Sequence, residues 1–154
     1  MRRRLIQRVA ELTTRYGEPI SIVGWSLGGI YARELAKTSP QQVRQVITLG
    51  SPFGDVSRPS NLSRMFRSVR GNPGRERINQ FARALRQPPA EVPSTAIYSR
   101  SDGIVHWSAC LEIETPHTDN IEVPGSHLGL GVTPLVLHPG PATLRPPTPG
   151  EPAT

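Results

Sequence analysis

Residues 24–28 read Gly24-Trp25-Ser26-Leu27-Gly28, a G-x-S-x-G run. A serine so placed can sit on a sharp turn with its hydroxyl held clear of the chain, provided that a strand enters the turn and a helix leaves it. The chemistry this allows is nucleophilic attack on a carbonyl. A serine hydroxyl is a weak nucleophile at neutral pH, so it needs a base, and the base needs a carboxylate to fix its tautomer. Both follow in chain order: Asp102 within Ser99-Arg100-Ser101-Asp102-Gly103-Ile104-Val105, and His127 within Pro124-Gly125-Ser126-His127-Leu128-Gly129. The positive end of a helix starting at Leu27, and the Leu27 N–H itself, would face negative charge forming on the attacked oxygen. Each assignment has a plainer rival. Ser26 could be only a turn residue, and Asp102 could cap the turn that follows it. Among the other histidines, His106 adjoins Trp107, His117 lies in the polar run Thr115-Pro116-His117-Thr118, and His138 borders the tail; His127 alone follows an expected strand in a glycine-flanked turn.

The elements that must position these groups are legible in the periodicities. Leu5, Val9, Leu12 and Tyr16 recur every three or four residues, predicting an amphipathic helix over residues 2–16 that Gly17-Glu18-Pro19 stops. Ile20-Ser21-Ile22-Val23 reads as a strand ending at Gly24, a second helix follows over 27–37, and Gln42 to Leu49 reads as the next strand, ended by Gly50-Ser51-Pro52. Gly24, Gly28 and Gly29 are the small residues expected to shape the turn around Ser26. Strands resume at Thr95-Ala96-Ile97-Tyr98 and Asn120-Ile121-Glu122-Val123. Strands alternating with helices predict an α/β architecture, a mostly parallel sheet of about four strands with flanking helices. All three polar residues then fall beyond the C-terminal ends of strands, the edge where open α/β sheets build their sites. Residues 55–93 interrupt the alternation, with loop signals at Arg58-Pro59-Ser60-Asn61 and Gly71-Asn72-Pro73-Gly74 around two short helices, the second carrying Ile78, Phe81 and Leu85 on one stripe. Residues 139–154 hold six prolines and no apolar period, and are expected to form a disordered tail.

These segments resemble the α/β-hydrolase family, in its bacterial lipase-like and esterase-like branch, through Ile22 to Gly29, Thr48-Leu49-Gly50-Ser51-Pro52-Phe53, Ser99 to Val105 and Gly125 to Leu130. The family's chain order is nucleophile, acid, histidine. The resemblance implies Ser26 as nucleophile, Asp102 as orienting acid, His127 as general base and the Leu27 N–H as one oxyanion donor. Asp55, after the second strand, is the alternative acid, since some relatives take their carboxylate from there. It implies hydrolysis of carboxylic esters of acyl or lipid type through an acyl-enzyme, without cofactor or metal. A thioesterase or acyltransferase would use the same residues. The resemblance spans about residues 5–130, and residues 1–138 are read as the C-terminal part of the family's domain, with 55–93 as a mobile cap or lid. The family's earlier strands and the loop giving the second oxyanion donor have no counterpart. A truncated, non-catalytic remnant or interaction module is therefore the competing expectation, and an unpaired edge on the strand before Ser26 would favour self-association.

Composition bounds the partners. The chain has 154 residues, enough for one domain, and a net charge of +6 that is almost wholly arginine, Lys37 being its one lysine. Eight arginines fall in 55–93 (Arg58, Arg64, Arg67, Arg70, Arg75, Arg77, Arg83 and Arg86), which suggests an anionic lipid surface as a candidate partner against the plainer reading of a solvated face. Aromatic residues make up 5%, and no basic patch is interleaved with rings, so nucleic acid is not expected. One cysteine, Cys110, excludes an internal disulfide and a multi-cysteine metal site. Neither a signal peptide nor an apolar run long enough to cross a membrane is apparent, so a cytoplasmic location is the expectation.

Overall fold

The structure, a computed structural model, describes residues 2–54 and 83–132. Helix α1 (Arg2–Tyr16) leads to strand β1 (Ile20–Trp25), helix α2 (Leu27–Thr38), β2 (Val43–Leu49), β3 (Ser94–Tyr98), β4 (Thr118–Glu122) and the one-turn helix α3 (His127–Leu130). The four strands form one sheet in the order β1-β2-β3-β4, every pairing parallel. Parallel strands cannot be joined by a tight turn, and α2 provides the crossover from β1 to β2. The amphipathic period places α1 as expected. Its end is set by Gly17, whose left-handed φ of 72° lets its N–H reach the Thr13 carbonyl at 2.9 Å.

One face of the sheet is covered by α1 and α2. Val9, Ala32, Leu35, Ala36, Val43 and Val46 form its core, with Ile20 and Ile22 of β1 packed against them. Burying each side chain of the size of Leu or Val contributes about 1.5–3 kcal/mol, so this cluster outweighs the weak intrinsic preferences of the short strands. A second cluster of Ile47, Leu49, Ile97 and Leu130 holds α3 to the sheet.

β1 does not end at Gly24, because Gly24 and Trp25 still pair with Thr48 and Leu49. The glycine serves a close approach instead of a strand end. A Cβ at Gly24 would lie 2.4 Å from the Gly29 Cα. Alternation sends Ser21, Val23 and Trp25 to the face opposite α2, where Val23 is 60% exposed and Trp25 41%. Among the described residues nothing pairs with the outer edge of β1, as the sequence predicts. β4 starts earlier than its apolar residues suggest, since Thr118 and Asp119 pair with Ser94 and Thr95.

Arg33 of α2 is buried and joins three separate parts of the chain. Its guanidinium pairs with Glu112, lies 3.8 Å over the Phe53 ring, and donates from one terminal nitrogen to the Leu85 and Gln87 carbonyls, each at 3.0 Å. Glu112 in turn accepts from the Ser94 hydroxyl at 2.6 Å. Residues 83–86 are helical and Leu85 is in the core, in agreement with the stripe predicted for that segment. Ile78 and Phe81 of that stripe, the remainder of the expected cap over 55–82, and the expected tail lie outside the described residues.

Candidate active site

β1 runs into Ser26 and α2 starts at Leu27, so the serine occupies the turn between strand and helix. Its backbone sits at φ 53° and ψ −123°. Among the described residues Ser26 is the one non-glycine with positive φ. Such a conformation costs about 1–3 kcal/mol and persists only where its surroundings over-determine it. They do so here. The Ser26 N–H bonds to the Leu49 carbonyl at 2.8 Å, and Gly24 and Gly29 bring the backbones before and after the turn into contact. Ser51, fully buried, seats beneath them, its hydroxyl 3.3 Å from the Gly24 and Leu49 carbonyls. A Cβ at Gly29 would fall 2.1 Å from that hydroxyl, whereas a Cβ at Gly28 would meet nothing within 4 Å among the described residues. The expectation that Gly28 is one of the small residues shaping the turn is thus corrected, since steric need rests on Gly24 and Gly29.

The Ser26 side chain does not cap α2. The Gly29 N–H turns back to the Ser26 carbonyl at 3.1 Å, and the Leu27 N–H, the first of α2, stands at the turn.

Asp102 and His127, 25 residues apart, are brought together. Asp102 Oδ2 and His127 Nδ1 are 2.6 Å apart, with the two side chains 1% and 6% exposed. The other carboxylate oxygen, Oδ1, accepts from the Ile104 and Val105 N–H groups, each at 2.8 Å. The two readings of Asp102 are therefore compatible: one oxygen caps the following turn and the other meets the histidine. Gly50 lies directly under this pair at φ 52°. A Cβ there would come within 3.0 Å of Asp102 Oδ2 and 3.2 Å of His127 Nδ1.

His127 is the first residue of α3, capped by Ser126, whose hydroxyl accepts from the Gly129 N–H at 3.2 Å. Its carbonyl accepts from the Trp25 indole at 3.0 Å, and the two rings lie 5.5 Å apart at 37°. Trp25 directly precedes Ser26. The motif's variable position thus ties the serine's turn to the histidine's, a contact that sequence reasoning did not anticipate. Gly50 and Ser51 were missed as site supports too, their only signal being a small-residue run at a strand end.

The other candidates are placed elsewhere. His106 is exposed and bonds through Nδ1 to the Ser108 hydroxyl at 2.8 Å; His117 is exposed in the loop before β4. His138 and Asp55, the alternative acid, lie outside the described residues. Cys110 is buried, and burial together with the Asp102 charge pushes its thiol up to about 12, so it is not a competing nucleophile near neutral pH. Among the described residues no cluster of three or more His, Cys, Asp or Glu could hold a metal ion, and no helix is long and apolar enough to cross a membrane.

No protein-family model and no curated protein matches the sequence. Solved structures do match. A lipase of Bacillus licheniformis in mature form superposes with a TM-score of 0.62 at 15% identity, over 88% of this chain and 70% of that one. A monoacylglycerol lipase of Paleococcus ferrophilus gives 0.56 at 14% identity, over 89% of this chain and 71% of that one. The chain carries part of the α/β-hydrolase fold. Lipase B of Aspergillus fumigatus gives a TM-score of 0.64 at 19% identity, but the match spans only 39% of its length against 88% of this chain. Ser26, Asp102 and His127 each stand just beyond the C-terminal end of a parallel strand.

Proposed function

We propose that this chain contains the catalytic residues of a serine hydrolase acting on carboxylic esters of acyl or lipid type. The observation that carries the reading is a strained serine turn tied, through Trp25, to a buried Asp102–His127 pair. In this reading the far nitrogen of His127 takes the Ser26 proton as Oγ attacks the ester carbonyl. Asp102 keeps Nδ1 protonated and offsets the imidazolium charge. The Leu27 N–H stabilises the oxyanion. Collapse of the tetrahedral species expels the alcohol, which takes the proton from His127 and leaves an acyl group on Ser26. Water, deprotonated by the same imidazole, then releases the acid. Lipase and esterase structures sharing the fold support ester hydrolysis at the level of type, because one fold hosts many chemistries.

A fluorophosphonate probe tests this directly, since it phosphonylates an activated serine. Labelling is expected at Ser26 and lost in Ser26→Ala. Asp102→Asn, which favours the wrong imidazole tautomer, should slow it by about 10³–10⁴-fold, while Asp55→Asn leaves most of it. Unchanged labelling of Ser26→Ala, or no labelling of folded chain, rejects the proposal.

A further inference from the structure

The Asp102 bond holds the ring of His127, while the α3 backbone beneath it is held by the Ser126 cap and by Leu130 in the core, neither of which engages the His127 carbonyl. α3 is a single turn, and it is reached from β4 through Pro124, Gly125 at φ 148° and Ser126. The Gly131 N–H bonds back to the Leu128 carbonyl at 3.2 Å, one residue short of the α-helical partner, which is the His127 carbonyl. That carbonyl is where the Trp25 indole donates, 102 residues away in sequence. The indole backbone is itself fixed, because Trp25 pairs with Leu49 in the β1–β2 ladder and adjoins Ser26. Its ring also closes on the end of α3: a Cβ at Gly131 would lie 3.5 Å from it.

We propose that Trp25 is a positioning residue for His127, a reading that rests on the serine-hydrolase proposal above. The indole N–H sets the distance between the turn bearing Ser26 and the turn bearing His127. The ring also packs against the imidazole, with centroids 5.5 Å apart at 37°. Asp102 and Trp25 act from different sides, one orienting the imidazole and the other holding its backbone at a fixed offset from the nucleophile.

The test is the rate of fluorophosphonate labelling of Ser26 in three replacements of Trp25, together with the proton resonance of the Asp102–His127 hydrogen bond. Replacement by 3-benzothienylalanine keeps the ring shape and deletes only the donor, so it leaves the packing as it is. Trp25→Phe removes the donor and shortens the ring, and Trp25→Leu removes both functions. Deleting the donor should slow labelling about five- to ten-fold, the effect of one hydrogen bond. Trp25→Leu should slow it about 10- to 100-fold as the imidazole loses its alignment, and should broaden the downfield proton resonance, at unchanged far-ultraviolet circular dichroism. Wild-type labelling rate and an unaltered resonance in the benzothienyl protein overturn the inference while leaving the hydrolase proposal intact. Labelling that survives Ser26→Ala removes the hydrolase proposal whatever Trp25 does.

Discussion

Two adjacent glycines after the serine behave differently, although both look like parts of the same motif. Gly29 is enclosed: a Cβ would collide with the Ser51 hydroxyl at 2.1 Å and stand 3.1 Å from the Gly24 carbonyl, neither of which can retreat from the core. Gly29→Ala should therefore destabilise the fold by about 1–3 kcal/mol, the range for overpacking, and should relax the strained Ser26 turn. Gly28 meets no described residue and has ordinary helical backbone, so Gly28→Ala should raise stability by up to about 1 kcal/mol by lowering the entropy of the unfolded chain. Urea titrations of the two variants check the pair. Opposite signs support the assignment, and equal losses would show that Gly28 has a role in the turn that the described residues do not explain.

At the scale of elements, β1 is one of the two edge strands of the sheet and carries the exposed apolar side chains Val23 and Trp25. Its outer edge has no partner among the described residues, Val23 is 60% exposed beside it, and Leu128 and Val132 are exposed at 66% and 72%. An uncovered edge of this length pairs readily with another strand. We propose that chains of this length self-associate through it. Val23→Lys puts a charge at the edge without touching the face packed against α2, and sedimentation velocity should show the associated fraction falling. An associated fraction unchanged by Val23→Lys, or a wild-type chain that is monomeric throughout, would remove the proposal.

For the whole molecule, the buried Cys110 thiol links stability to alkaline pH, in the sense opposite to the buried Arg33 guanidinium, whose proton burial weakens. Burial, reinforced by the Asp102 charge, raises the Cys110 thiol from 9.0 to about 12. An unfolded chain loses that proton from 9.0 upward while the folded one retains it, so at this group the unfolded state binds fewer protons and its contribution to stability falls as pH rises. The contribution is fully present below 9.0 and lost as pH climbs through about 12. Cys110→Ala should flatten this alkaline limb in urea midpoints measured across that interval. Iodoacetamide should modify the folded wild type only at the rate of global opening. An equally steep limb in Cys110→Ala would place the alkaline sensitivity elsewhere.

Local pattern was enough for the elements and for their order. The three- and four-residue spacing of Leu5, Val9 and Leu12 made α1, β-branched runs made β1 and β2, and a strand leading into Gly24-Trp25-Ser26-Leu27-Gly28 located the serine turn. Asp102 and His127 were readable as candidates because each follows a strand, and parallel strands bring their C-terminal ends to one edge. Pairwise contact was another matter. The 2.6 Å approach of Asp102 to His127, the space under it that only Gly50 leaves, and the indole of Trp25 on the His127 carbonyl depend on register between β1, β2 and β3 and on where one short helix docks. Such distances come from long-range packing between segments up to 102 residues apart, which no periodicity within a segment encodes. The buried pairing of Arg33 with Glu112 was hidden for the same reason: each reads alone as a surface charge, and only the closed core places one against the other.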